Sequence, residues 1–331
     1  MLANSKDIIK YLEDFHAGRI SQGMGLGCKI DDHLRWKPSS LNLILGRNGV
    51  GKTYFKTWQY LVLSQRNPKM KWCVWTGENK AGQIVRNLIQ IYSKKKFKDL
   101  SISEVYRYQQ EIAQWFDFVD NKKLYKSNEL LKIFEDGGYS GGLIDPYTGL
   151  DRGYGFGDNY DFLNHSREWV NKTGITLDIC THPVSASGRA NALFPKDHMW
   201  AGYIRNPYQS DVEGGDSFSN RCDDFICLHR LKDNESMRFY TLLYVYKIKD
   251  HETGGMETIM DSPILLDFNY GMGFKVDGID PMIDKPVMGN PDYVQKPLRP
   301  LSKEDLKPTA TNYPDKEEDF FNNEPIDNLP F

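Results

Sequence analysis

The chain has 331 residues, 40% of them hydrophobic, and a formal net charge of −3, which is enough apolar material for one large α/β domain or two small ones. We find no run of about eighteen apolar residues and no signal peptide, which argues against a membrane span or secretion. The five cysteines contain no C-x-x-C pair, so we interpret them as reduced core residues of a cytoplasmic protein rather than as metal ligands.

The first predicted element is a short amphipathic helix over residues 5–17. Ile8, Ile9 and Leu12 recur at the spacing of one helical face. This helix either packs into the core or docks on another subunit, and the sequence favours neither alternative. We assign residues 1–18 to a linker or docking segment.

A glycine-rich loop follows a buried strand predicted at residues 41–45. Residues 46–53 fit the pattern G-x-x-x-x-G-K-[ST], and an apolar helix is predicted over residues 54–66. A strand, a glycine loop and a helix in this order direct backbone N–H groups and the positive end of the helix at a phosphate chain. Lys52 would reach the β- and γ-phosphates, and the hydroxyl of Thr53 would hold Mg²⁺. The expected nucleotide contacts are Gly46, Asn48, Gly49, Val50, Gly51, Lys52, Thr53 and Tyr54.

Strands and helices alternate beyond this loop. Further strands are predicted at residues 71–76, 115–119, 141–145, 176–180, 225–228, 239–247 and 264–268, and helices at 80–92, 127–134 and 161–172. Such alternation predicts an α/β fold with a mostly parallel sheet that is covered on both faces. The closely spaced later strands are expected to add an antiparallel edge.

Three candidate functional side chains lie at the ends of predicted strands: Glu78, Asp145 and His182. Ligands bind at the carboxyl ends of the strands in open α/β sheets. We therefore expect Asp145 to reach Mg²⁺, Glu78 to polarise the attacking water, and His182 to contact the γ-phosphate. The alternatives are a helix-capping aspartate and ordinary surface groups. No N-K-x-D guanine signature follows the loop, which argues against a small G-protein.

The composition changes beyond residue 276, where nine of the 16 prolines occur. We assign residues 276–314 to an irregular proline-rich extension, and residues 315–331 to a disordered acidic tail that ends in phenylalanine. The tail holds six acids and one lysine, a net charge of −5, so the rest of the chain carries −3 + 5 = +2. A nearly neutral body of this kind can still bind nucleic acid if its basic groups line an internal channel.

Taken together, these motifs resemble the RecA-type motor domain of DnaB-like replicative helicases, most closely the helicase half of phage T7-type and mitochondrial Twinkle-type enzymes. Residues 75–78 are similar to the motif that carries the catalytic glutamate of the family. Residues 142–147 are similar to its Walker B motif, and residues 178–183 to its phosphate sensor in the histidine version. The resemblance covers residues 18–270 and implies a RecA-like P-loop NTPase core over residues 19–275.

The resemblance also implies roles for later residues. Arg230 and Phe268 would sandwich the nucleotide base. Single-stranded DNA would be contacted by two segments, through Ser185, Ser187, Arg189, Gly214 and Gly215. The family supplies an arginine finger to the neighbouring subunit from a K-x-R motif, which here ends in lysine, so the trans-acting cation is either Lys249 or Arg230.

The resemblance implies a function as well: a hexameric or heptameric helicase that uses ATP or dTTP with Mg²⁺ and translocates on single-stranded DNA. Its setting would be a phage or plasmid replication fork, in the host cytoplasm for a phage protein. The acidic tail would dock a primase, a polymerase or a loader, unless it only keeps the chain soluble. Two other interpretations stay open: a RecA-like recombinase or strand-annealing ATPase, and an ATP-gated loader or scaffold that binds partners through the tail.

Overall fold

The computed structural model describes residues 4–18, 23–153, 155–184 and 193–284. Its helices are α1 (Ser5–His16), α2 (Lys52–Arg66), α3 (Ala81–Ser93), α4 (Ile102–Ile112), α5 (Ser127–Asp136), α6 (Phe156–Thr173), α7 (Ser217–Arg221) and α8 (His251–Gly254). Its strands are β1 (Leu41–Leu45), β2 (Trp72–Thr76), β3 (Phe116–Phe118), β4 (Gly141–Asp145), β5 (Thr176–Thr181), β6 (Asp224–His229), β7 (Tyr240–Ile248), β8 (Ile264–Phe268) and β9 (Phe274–Val276).

These strands form one sheet in the order β3-β2-β4-β5-β1-β6-β7-β8-β9. The strands from β3 to β6 in this order pair in parallel. The last three strands, β7, β8 and β9, pair antiparallel. The predicted α/β fold with a mostly parallel sheet and an antiparallel edge is therefore confirmed. The carboxyl ends of β1, β2, β4 and β5 share one edge of the sheet, which is called the carboxyl edge below.

Apolar side chains cover both faces of the sheet, as a parallel sheet requires. On one face, α2 and α3 pack on the strands, and the rings of Tyr60 and Trp72 stack with centroids 4.0 Å apart. On the other face, α5 and α6 pack on the strands around residues such as Phe134 and Trp169. All five cysteines are buried free thiols. None of the helices in the described ranges is both long enough and apolar enough to cross a membrane.

Helix α1 keeps its apolar face in solvent. Its side chains Ile8, Ile9, Tyr11 and Leu12 each expose half or more of their surface. The described part of the chain buries none of the residues of α1. An isolated helix of this length is marginally stable in water, so α1 gains stability only if another surface covers this face.

The folded domain continues past residue 276. Residues 277–284 fall in the predicted proline-rich extension, but Asp280 is buried and its carboxylate accepts hydrogen bonds from Lys94 Nζ at 2.7 and 2.8 Å. This contact fastens the segment to the end of α3. The remainder of the predicted extension and the acidic tail lie outside the described residues.

We predict that Gly142→Ala destabilises the domain. A Cβ placed at Gly142 on β4 would lie 2.4 Å from the ring of Phe134, which is fully buried and cannot retreat. Overpacking of this kind costs about 1–3 kcal/mol, measurable as a loss of unfolding free energy in denaturant. The control is Gly82→Ala on α3, where nothing lies within 4 Å, and it should stabilise by about 0.4–1 kcal/mol. Equal stability of Gly142→Ala and the unmodified chain would contradict the close packing of α5 on β4.

Candidate nucleotide site

The glycine loop connects β1 to α2 at the carboxyl edge. Gly49 and Gly51 have φ angles of 70° and 97°, in the left-handed region that favours glycine. A Cβ at Gly46 would lie 2.8 Å from the carbonyl oxygen of Leu228, so the loop packs closely against the end of β6. Helix α2 begins at Lys52, directly after Gly51. The unpaired N–H groups of its first turn therefore open onto the loop, which is the arrangement that binds phosphate.

Lys52 is held by neutral acceptors. Its Nζ donates to the carbonyl oxygen of Gly46 at 2.7 Å and contacts Nδ1 of His182 at 3.1 Å. Burial lowers the pKa of Lys52, while the neighbouring Cys180 and Asp145 raise it. Because an ammonium can only donate, Nδ1 of His182 accepts this hydrogen bond, and its ring proton is assigned to Nε2.

Thr53 and Asp145 meet beside the loop. The hydroxyl of Thr53 donates to Oδ2 of Asp145, the last residue of β4. Burial raises the pKa of Asp145, and the hydrogen bond from Thr53 and the charge of Lys52 oppose this rise. A hydroxyl and a carboxylate are the hard oxygen ligands that Mg²⁺ prefers. The two residues therefore fit the predicted magnesium ion.

Glu78 and His182 face each other across the loop. Oε1 of Glu78 lies 3.8 Å from Nε2 of His182, and the Glu78 side chain is 62% exposed whereas that of His182 is 15% exposed. Burial and the charge of Lys52 lower the pKa of His182, and Glu78 raises it. The net lowering keeps the imidazole neutral at pH 7, with Nε2–H available as a donor. The structure thus brings five predicted residues together, namely Lys52, Thr53, Glu78, Asp145 and His182.

A cleft of about 270 Å³ runs along the start of α2 and is lined by these residues. Its other wall is the face of α3 that carries Gln83, Ile84 and Asn87. The sequence analysis did not single out these three residues. Polar residues four positions apart on an amphipathic helix are typical of a solvated face, and only the packing of α3 on α2 turns them towards the loop.

A second cleft, of about 430 Å³, continues from the first and shares Asn48, Glu78 and His182 with it. It extends to Val184 and Glu213, which border the two predicted DNA-binding segments. Ser185, Ser187 and Arg189 themselves lie outside the described residues.

Gly214 and Gly215 lie in a tight turn, with φ angles of 112° and 88°. The turn is joined to the site, because the N–H of Glu213 donates to the carbonyl oxygen of His182 at 2.9 Å.

The two predicted base-binding residues also reach the carboxyl edge. Arg230 directly follows β6, and its guanidinium donates to the carbonyl oxygen of Arg238 at 2.8 Å. Burial lowers the pKa of Arg230. Strand β8 runs in the direction of β6 because two antiparallel pairings separate them. Phe268 therefore ends at the same edge, where its ring lies edge-on to the ring of Tyr54 with centroids 5.5 Å apart.

Lys249 lies at the opposite edge of the sheet. It follows β7, which is antiparallel to β6, and its Nζ lies 3.0 Å from Oδ1 of Asp223, the residue before β6. Its side chain is 62% exposed. The neighbouring Lys247 donates to the carbonyl oxygen of Ser219 at 2.7 Å. Lys249 is therefore separated by the length of the sheet from the glycine loop of its own chain.

Comparison with known proteins finds similarity in structure. No protein-family model and no curated protein matches the sequence. The solved ATPase domain of a DnaB-like helicase matches with a TM-score of 0.63 at 13% sequence identity, over 84% of this chain and 99% of that domain. A second solved structure, a DnaB-like replicative helicase described together with its interactions with primase, matches with a TM-score of 0.63 at 14% identity, over 83% of this chain and 67% of that one. The resemblance implied by the sequence is thereby confirmed for the fold: the chain has the RecA-like fold of DnaB-like helicase ATPase domains.

Proposed function

We propose that this chain is a nucleoside triphosphatase motor that translocates on single-stranded DNA as a ring and unwinds duplex at a replication fork. The observation that carries the proposal is the convergence of Lys52, Thr53, Glu78, Asp145 and His182 at the carboxyl edge. The similarity in fold to helicase ATPase domains supports the same function.

The substrate would be ATP or dTTP, with its phosphates on the loop of residues 46–53 and its base between Arg230 and Phe268. Lys52 would donate to the phosphate oxygens from its buried ammonium, and Thr53 and Asp145 would hold Mg²⁺. When bound, the ion neutralises charge on the phosphate oxygens.

Glu78 is suited to act on the attacking water. Its carboxylate is exposed and lies at the rim of both clefts, so it can accept a hydrogen bond from water and then a proton. His182 is neutral, and its Nε2–H can donate to an oxygen of the γ-phosphate. Because the carbonyl oxygen of His182 is bonded to Glu213, a shift of His182 would be passed to the turn at Gly214 and Gly215, which we assign to DNA contact.

The trans-acting cation is proposed to be Lys249. A residue at the far edge of the sheet can serve a glycine loop only in another copy of the chain. Its pairing with Asp223 is partly exposed, and exposed ion pairs contribute only about 0–1 kcal/mol, so Lys249 leaves Asp223 at little cost. Each site would then lie between two copies of a hexamer or heptamer, and the exposed face of α1 would dock on the neighbouring copy.

The domain assignment follows this proposal: residues 1–18 for docking, 19–275 for the motor, 276–314 for the extension and 315–331 for the tail. The acidic tail would bind replication proteins such as a primase, a polymerase or a loader. The protein would act in the cytoplasm, which is the host cytoplasm if it is a phage protein.

The central test compares forked-duplex unwinding by the unmodified chain and by Lys52→Ala. We expect Lys52→Ala to abolish unwinding and to lower DNA-stimulated ATP turnover by at least about 100-fold, because the ammonium neutralises developing charge. Lys69→Ala, an exposed lysine beyond the same helix, is the matched control and should leave both activities unchanged.

Two results would contradict this function in different ways. Nucleotide-dependent filaments in negative-stain images, with turnover but no unwinding, would favour the recombinase or annealing ATPase. An unmodified chain that binds nucleotide without stimulated turnover would favour the loader or scaffold.

The finger assignment is tested by mixing inactive variants. Lys249→Ala should lower turnover by about 10³-fold or more. If Lys249 acts in trans, mixing Lys249→Ala with Lys52→Ala should restore part of the activity, because a Lys52→Ala copy still supplies Lys249 to a neighbour with an intact loop. Turnover that survives Lys249→Ala but is lost in Arg230→Ala would reassign the finger to Arg230.

The tail assignment is tested by deleting residues 315–331. The truncated chain should keep its ATP turnover and lose affinity for a purified primase, polymerase or loader, measured by calorimetry. Substituting the terminal Phe331→Ala in the full chain separates the hydrophobic tip from the acidic charge. Unchanged affinity in both variants would leave the tail with a solubilising role alone.

A further inference from the structure

A second lysine of α2 is paired with a buried aspartate beneath the nucleotide site. Lys56 lies one helical turn after Lys52, and its Nζ is 3.0 Å from Oδ2 of Asp178 on β5. Both side chains are buried, at 5% and 0% exposure. Neither residue has a part in the mechanism described above.

The carboxylate of Asp178 joins three elements. Its Oδ1 accepts a hydrogen bond from Nδ2 of Asn42 on β1 at 3.0 Å. Its Oδ2 accepts a hydrogen bond from the hydroxyl of Tyr60, which is also on α2. Lys56 Nζ donates in addition to Oε1 of Gln59 at 2.6 Å. The group formed by Lys56, Tyr60 and Asp178, called the α2–β5 link below, is thus hydrogen-bonded on all sides.

Stability is a weak explanation for such a link. Removing two ions from water costs several kcal/mol for each ion, and apolar residues of similar volume often give equal or greater stability. Apolar contacts, however, act without direction. Hydrogen-bonded ions fix the rotation of one element against another, which is the property that this position requires.

The link and the catalytic contact lie on matching faces. Lys52 and Lys56 are four residues apart on α2, so they share one face of the helix. Asp178 and His182 are four residues apart along the β5 segment, so they point to one face of the sheet. The contact of Lys56 with Asp178 therefore repeats, one step deeper, the contact of Lys52 with His182 at 3.1 Å.

We propose that the α2–β5 link is a positioning device that fixes the rotation of α2 against β5 and thereby holds Lys52 at Nδ1 of His182. The proposal depends on the proposed function for what Lys52 and His182 do to nucleotide, but not for the contact between them. Without the link, α2 rotates within its apolar packing and carries the ammonium away from the imidazole.

The test variant replaces the link with apolar residues: Lys56→Met, Tyr60→Phe and Asp178→Leu together. A cavity of about 20 Å³ beside Asp178 and Lys56 gives the new side chains room. The matched control is Lys56→Gln with Asp178→Asn, which removes both charges and keeps a hydrogen-bonded connection between α2 and β5.

The first measurement does not use activity. The ¹⁵N shifts of the His182 ring in nucleotide-free protein report whether Nδ1 accepts a hydrogen bond, with Lys52→Ala as the reference for its loss. We expect the apolar variant to move to the reference values and the control to stay with the unmodified chain. In turnover assays, the apolar variant should lose about 10-fold or more in kcat with little change in KM, as expected for misplaced catalytic groups.

A folded apolar variant with unchanged His182 shifts would overturn the proposal, and so would a control that shifts as far as the apolar variant. If the apolar variant does not fold, Lys56→Met with Tyr60→Phe and Asp178→Asn cuts the same connections, keeps the partner of Asn42, and is judged by the same shifts. Absence of turnover in the unmodified chain would overturn the proposed function, while the ring shifts would still decide the role of the link.

Discussion

The site depends on the register of the parallel strands. The pairing of β1 with β5 sets Leu45 opposite Thr181, so that Gly46 and His182 are the next residues on each strand. The pairing of β2 with β4 sets Thr76 opposite Asp145, which places Glu78 just beyond Asp145. Side chains alternate between the faces of a strand, and a slip of one residue would turn each of these groups to the other side. The buried apolar runs of both faces fix this register, so the core and the site are specified together.

The two lysines of α2 illustrate how partners set the use of a buried charge. Lys56 faces a carboxylate and is neutralised within the fold. Lys52, one turn earlier, donates to a carbonyl oxygen and an imidazole, which are neutral. A buried cation with neutral partners keeps most of its charge for an incoming anion, and the lowered pKa of Lys52 reflects this lack of full compensation. Polyphosphate supplies the missing charge, which is why the proposed substrate fits this position.

The sequence was sufficient where function follows from local pattern. The glycine loop, the strand ends at Glu78 and Asp145, and the step from parallel to antiparallel strands each have a signal within a short window. It was insufficient where function follows from packing. Helix α4 went unpredicted because its exposed Ile102 and Tyr106 blur the apolar periodicity. Lys56 and Asp178 are far apart in sequence, and each alone has the character of a solvated charge, so only the fold reveals their contact.

The placement of Lys249 constrains the assembly that we propose. The sheet has its glycine loop at one edge and Lys249 at the other, so each copy would receive a cation at one edge and supply one at the other. Such a contact joins different surfaces on the two partners and produces either a closed ring or an open helix. An open chain of copies always leaves one loop without a cation and one cation unused. A ring leaves neither, so a finite assembly in which every site is complete must close on itself.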